Sequence, residues 1–109
     1  MSSLSRVTSG KDRAFLTVAV ILELIWTLDS YYELSRDDIS DKLMLLLNTK
    51  KLVIENRDVV EEAVEYYKTA RIDFANCYNA AFAKLRGDAI ILSYDKDFDR
   101  IKDIKRVEP

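Results

Sequence analysis

The sequence predicts a small α/β domain with a short, mainly parallel sheet and helices on both of its faces. Three observations lead there. Strand-like apolar runs alternate with segments of helical period, an order that calls for right-handed crossovers and a mostly parallel sheet. Gly 2 and Pro 1 are too few for a turn-dense all-β sandwich or barrel. A length of 109 residues, 49% of them hydrophobic and 33% charged, suits one packed domain, divided here into an arm over 1–14 and a single domain over 15–109.

The elements follow in order. Met1 to Arg13 is rich in Ser and basic residues without a sustained period, and reads as either a loose arm or a short helix. Phe15 to Val18 forms a short strand that turns into a helix near Ala19, where Leu22, Ile25, Trp26 and Leu28 fall at helical spacing. Ser35, with Asp38 three residues on, opens a second helix whose apolar positions are Ile39, Leu43, Leu46 and Leu47. Leu52-Val53-Ile54 is a strand. Asn56 is placed to cap the third helix, which carries Val59, Val60, Ala63, Val64 and Tyr67 on its apolar face. Asp73 caps a fourth helix, FANCYNAAFAKLR, which Gly87 closes in the left-handed conformation. The run AIIL then reads as a fully buried strand, SYDKDFDRI as an acidic loop with Asp97 capping a helical turn, and Lys105 to Val107 as a last strand.

The inventory excludes several chemistries. With His 0 there is no imidazole base, no Ser-His or Cys-His pair and no His-containing zinc site. Cys 1 rules out an internal disulfide and suits a reducing cytoplasm. The formal charge of -2 offers no bulk basic field for nucleic acid, so such contact must be local. The longest apolar stretch, Ala14 to Trp26, is too short to span a bilayer and contains Glu23, so no membrane partner is expected. What remains is carboxylate chemistry: paired acid and base, or a hard cation such as Mg2+ or Mn2+.

Glu23 stands in the most apolar segment, where burial of an unpaired carboxylate is strongly penalised. A functional acid and an ordinary surface or ion-paired residue are equally compatible with it. Asp95, Asp97 and Asp99 follow AIILSY, and Asp95 lies just past the carboxyl end of a strand, where open α/β sheets place ligands. A solvated loop accounts for Asp97 and Asp99. Asp73 is explained as a helix cap, and Asn76 and Asn79 share one face of the following helix. Cys77 reads as a small core residue, and Trp26, Tyr66 and Tyr67 as packing residues.

Three segments together, VILELIWTLDSYYELSRDDI, IDFANCYNAAFAK and GDAIILSYDKDFDRI, resemble the PIN domain, particularly the VapC-type toxin ribonucleases. The resemblance runs from Phe15 nearly to the end. It implies a PIN-like fold in which acids from separate segments meet at the carboxyl edge of the sheet and hold Mg2+ or Mn2+ for cleavage of RNA phosphodiesters. It assigns Glu23 to the acid of the family's L-x-E-L helix and Asp95 to that of its T-x-D loop, with Ser93 in place of Thr and Asp97 as an auxiliary. Both are the implied catalytic residues.

The family's helix usually reads DFADAL, so Asn76 stands where a second metal-binding acid is implied, and Asp73 lies nearly one turn before it. The family's first strand, bearing Asp-x-Asn, has no counterpart here. Two of four implied acids are therefore absent, and the resemblance leads to a weak or absent Mg2+ or Mn2+ site with weak or no ribonuclease activity. The alternative is a non-catalytic binding or dimerisation module. RNA and an antitoxin protein are the implied partners. In the resembling family the absent first strand is central, which implies that the strands near Phe15–Val18 and Ala89–Leu92 need cover; the arm Leu4 to Thr8, direct pairing of the two, or a second protomer would each supply it, and a homodimer or higher assembly is expected.

Overall fold

A computed structural model describes residues 13–109. The Met1–Arg13 segment therefore lies outside the described residues except for its last, exposed arginine. The chain is mixed α/β with short parallel strands, arranged as two compact units that divide between Arg57 and Asp58.

In the first unit, β1 (Ala14–Leu16) pairs in parallel with β2 (Leu52–Ile54), Phe15 standing opposite Val53. The strand ends two residues earlier than a reading to Val18 suggests, because Thr17 takes extended angles and caps the next helix, its hydroxyl accepting from the Val20 N–H at 3.3 Å. A second donor at that helix end, the Val18 N–H, reaches the Glu55 carboxylate at 2.8 Å. This helix, α1 (Val18–Trp26), buries Ile21 and Ile25. It widens into a π-helical turn over Thr27–Tyr31, where the Thr27 hydroxyl bonds back to the Glu23 carbonyl at 3.0 Å. Trp26 is 66% exposed, so its assignment to packing is corrected.

Ser35 opens α2 (Arg36–Leu47) as expected, its hydroxyl accepting from the Asp38 N–H at 3.1 Å, with Asp37 and Asp38 at the positive end of the helix. Ile39, Leu43 and Leu47 are buried and Leu46 partly so. At the far end Asn48 donates its side-chain amide to the Met44 carbonyl.

In the second unit, α3 (Arg57–Ala70) buries Val59, Val60, Ala63, Val64, Tyr66 and Tyr67. Asn56 precedes it at φ 50°, a left-handed angle instead of the extended one of an ordinary cap. Asp73 caps α4 (Phe74–Arg86), accepting from the Asn76 N–H at 2.8 Å, and Phe74, Cys77, Ala80 and Ala81 are buried. Phe74 meets Tyr67 edge to face, ring centres 5.7 Å apart. Cys77 and both tyrosines of α3 are thus core residues, as their sequence context indicates.

Gly87 does not turn left-handed. Its angles are extended (φ -127°, ψ -155°), and a Cβ there would stand 3.1 Å from the Ala83 carbonyl oxygen, so close approach explains the glycine. Ala89 takes the left-handed angle instead, at φ 60°.

After it, β3 (Ile90–Leu92) pairs in parallel with β4 (Lys105–Val107). The strands among the described residues thus form two two-stranded parallel ladders, one per unit. Full burial of the AIIL run is overturned: Ile90 is 52% and Leu92 66% exposed, since among the described residues β3 has a neighbour along one edge only. Between these strands lies a short 3-10 turn, Lys96–Arg100, anchored by buried Phe98 and followed by buried Ile101 and Ile104.

Candidate functional site

Two connections of the second unit meet at a side-chain hydrogen bond. The first is the bend before α4, where Asp73 fixes the backbone of Asn76 and so sets the direction of its side chain. The second leaves the carboxyl end of β3 at Ser93, whose hydroxyl accepts from the Asp95 N–H at 3.0 Å. There the Asn76 Nδ2 donates to Asp95 Oδ2 at 2.9 Å. The other oxygen, Oδ1, accepts from the Asp97 N–H at 2.9 Å. Asp95 is therefore the cap of the 3-10 turn, a role that the sequence reading gave to Asp97.

An ionised carboxylate only accepts hydrogen bonds, so an asparagine facing one must turn its NH2 toward it and its carbonyl oxygen away. Both donors stabilise the charged form of Asp95. Its carboxyl is held below the usual range, first by the Asp97 backbone N–H and then by the Asn76 amide, with desolvation by its neighbours opposing and Arg106 adding a smaller attraction.

Nearby charges are paired. Arg106 binds Asp99 with two nitrogens, at 3.0 and 3.3 Å, and Glu108 with Nη1 at 3.0 Å, which relieves the crowding of acids around Asp95, Asp97 and Asp99. Arg86 forms a bidentate pair with Asp58, both contacts at 2.8 Å.

Of the residues expected from sequence, Asp73, Asn76, Asp95 and Asp97 stand together in the second unit, and Glu23 stands in the first. Glu23 is exposed, because α1 buries only its Ile21 and Ile25 side, so no cost of a buried carboxylate attaches to it. Asn79 is exposed as expected.

A hard divalent cation needs several oxygens free to replace its water. Asp73 Oδ1 and both oxygens of Asp95 already accept N–H donors, and Asn76 presents nitrogen to Asp95. Among the described residues no group of three or more His, Cys, Asp or Glu is gathered as a metal ion requires. Among the described residues of the second unit, this set as arranged does not fit Mg2+ or Mn2+.

Comparison with known proteins places these elements in context. Residues 3–104 match the family described as PIN domain. The chain belongs to the PIN-domain family. It is also similar to a VapC ribonuclease of Aquifex aeolicus (strain VF5), 26% identical over 98 residues that cover 90% of this chain and 72% of that protein. No solved structure gives a significant match. Among its described residues, this PIN domain has no helix long and apolar enough to cross a membrane.

Sequence reading missed the contact between Arg71 and Arg100. Arg71 turns the chain between α3 and α4 at φ 56°, and Arg100 Nη1 donates to its carbonyl at 3.2 Å. Nothing in their spacing signals this meeting, since they lie on separate connections.

Proposed function

We propose that this PIN domain is a ribonuclease-type protein whose divalent-metal centre is weakened, so that RNA is bound while phosphodiester cleavage is slow or absent. One observation carries the reading: the Asn76 amide occupies the Asp95 oxygen that a cation would otherwise use. Replacing an acid by Asn removes a full charge, and a hard cation is held chiefly by charge and by oxygens free to replace its water. In this reading Glu23 and Asp95 are the acids of the centre, with Asp73, Asn76 and Asp97 beside them, the whole of 15–109 forms one PIN-like domain, and the setting is cytoplasmic. An antitoxin protein is the proposed regulator, by likeness to the VapC relative.

The second reading is a non-catalytic binding or dimerisation module. It draws support from an open apolar groove of about 490 Å3 between α4 and β3, lined by Tyr78, Phe82 and Ile90 among others. A homodimer belongs to both readings, and light scattering that gives only a monomer mass at high concentration counts against it.

Calorimetric titration with Mn2+ decides between an intact and a weakened centre. The wild type is expected to bind weakly, Asn76→Asp to bind about tenfold more tightly, and Glu23→Gln to lose what binding there is. Tight binding and RNA cleavage by the wild type, both abolished by Glu23→Gln, overturn the proposal.

A further inference from the structure

One arginine is bound to both ends of the loop that carries Asp95. Arg106 stands in the middle of β4, and its side chain is only 12% exposed. All three guanidinium nitrogens are engaged. Nε and Nη2 donate to the two oxygens of Asp99 at 3.0 and 3.3 Å, while Nη1 donates to the Ser93 carbonyl at 3.2 Å and to Glu108 Oε1 at 3.0 Å. Ser93 precedes Asp95 by two residues, and Asp99 lies in the 3-10 turn that Asp95 caps.

Ser93 passes this hold on to Asp95. Its N–H donates to the Val107 carbonyl at 2.9 Å, its carbonyl accepts from Arg106, and its hydroxyl accepts from the Asp95 N–H at 3.0 Å. Two successive residues of β4 thus fix the point where the chain leaves β3, and Ser93 in turn fixes the Asp95 backbone. At the far end the bidentate pair with Asp99 sets the direction of the contact as well as its distance. Between these two anchors Asp95 Oδ1 caps the turn, which leaves Oδ2 facing the Asn76 amide. The ladder between β3 and β4 and the buried Phe98 already hold strand and turn in place. What the guanidinium adds is a direct link between the start of the loop and the turn beyond it.

We propose that Arg106 is a positioning residue of the candidate site: by bridging Ser93 and Asp99 it sets where the Asp95 carboxylate stands relative to Asn76. The inference deepens the reading of a weakened metal centre and rests on it. The role belongs to the shape of the guanidinium rather than to its charge. A lysine keeps the charge, but its ammonium is a single point that cannot serve a carbonyl and both oxygens of a carboxylate in fixed directions.

The test reads the Asn76–Asp95 contact through the two side-chain amide proton signals of Asn76 in a 15N-resolved NMR spectrum without metal, assigned by their disappearance in Asn76→Asp. In the wild type the proton that faces Asp95 is expected downfield of its partner. Arg106→Lys is expected to collapse this separation while the backbone signals of α3 stay in place, and Asp99→Asn, which cuts the far anchor and keeps Arg106, to act in the same direction. Glu108→Gln leaves both anchors intact and is expected to change nothing. A second measurement titrates Mn2+ into Asn76→Asp: adding Arg106→Lys, at unchanged net charge, is expected to weaken binding about tenfold or more, as loss of a group that orients a metal ligand does. A separation retained in both Arg106→Lys and Asp99→Asn, or lost equally in Glu108→Gln, overturns the positioning role and leaves the metal reading standing. Absence of Mn2+ binding by Asn76→Asp overturns the metal reading instead, and the amide signals then decide the hold of Arg106 on Asp95 by themselves.

Discussion

Ser40 is fully buried in α2, and its hydroxyl has no hydrogen-bond partner among the described residues. An unsatisfied buried hydroxyl carries its desolvation cost without return. Ser40→Ala is therefore expected to leave stability unchanged or raise it by about 1 kcal/mol, read as the urea midpoint at constant slope. A clear loss would mean that the hydroxyl has a partner in solution. At this scale the sequence was informative about types and silent about pairings. The weak helix former Asn76 and the strand-end acid Asp95 both stood out, but their meeting depends on two distant connections. Glu23 stayed open between a functional acid and an ordinary surface residue, because helical period alone cannot tell which side of a nine-residue helix faces inward when apolar residues surround it.

Among the elements, the helices were the most legible, because caps and period agree: Ser35 and Asp73 were identified from residue type and confirmed by their side-chain bonds to the third N–H beyond. Asp73→Ala is expected to destabilise the fold by about 1 kcal/mol, measured by chemical denaturation, and to loosen the Asn76–Asp95 contact, seen as a rise in the Asp95 carboxyl titration midpoint by NMR. An unchanged midpoint would show that Asn76 is held without its cap. Strands were legible in position and not in burial. A continuous apolar run such as AIIL resembles the middle of a covered sheet, but among the described residues β3 has only β4 beside it, and that depends on which other strands come near. The π-helical turn at Thr27–Tyr31 had no sequence signal, since it arises from one extra residue in a backbone ladder.

For the whole molecule, charge pairing sets a pH window. Asp58, Asp95 and Asp103 are each held below the ordinary 3.8: Asp58 chiefly by Arg86, Asp95 by the Asp97 N–H, and Asp103 by Lys84. A lowered carboxyl stabilises the fold above its unfolded value and loses that effect as pH falls through the folded one. Tyr66 is pushed up from 10.0 to about 12, first by burial and then by its bond to Asp103, so its contribution is complete below 10.0 and lost as pH rises toward 12. Urea midpoints are expected to be flat between these limits and to fall beyond both, with Tyr66→Phe making the alkaline fall shallower. An alkaline limb unaffected by Tyr66→Phe would show that the phenol does not titrate across the transition.

The glycine-poor connections have a consequence for engineering. Glu33, Lys51, Asn56, Arg71 and Ala89 all adopt left-handed angles, φ 50° to 66°, which an ordinary side chain occupies at a cost of about 1 kcal/mol. These bends hold a reserve of thermostability: glycine at Lys51 or Ala89 relieves the strain without touching a core residue or the candidate site. A more heat-resistant form of this domain is thus accessible through its joints, leaving the interior as it is.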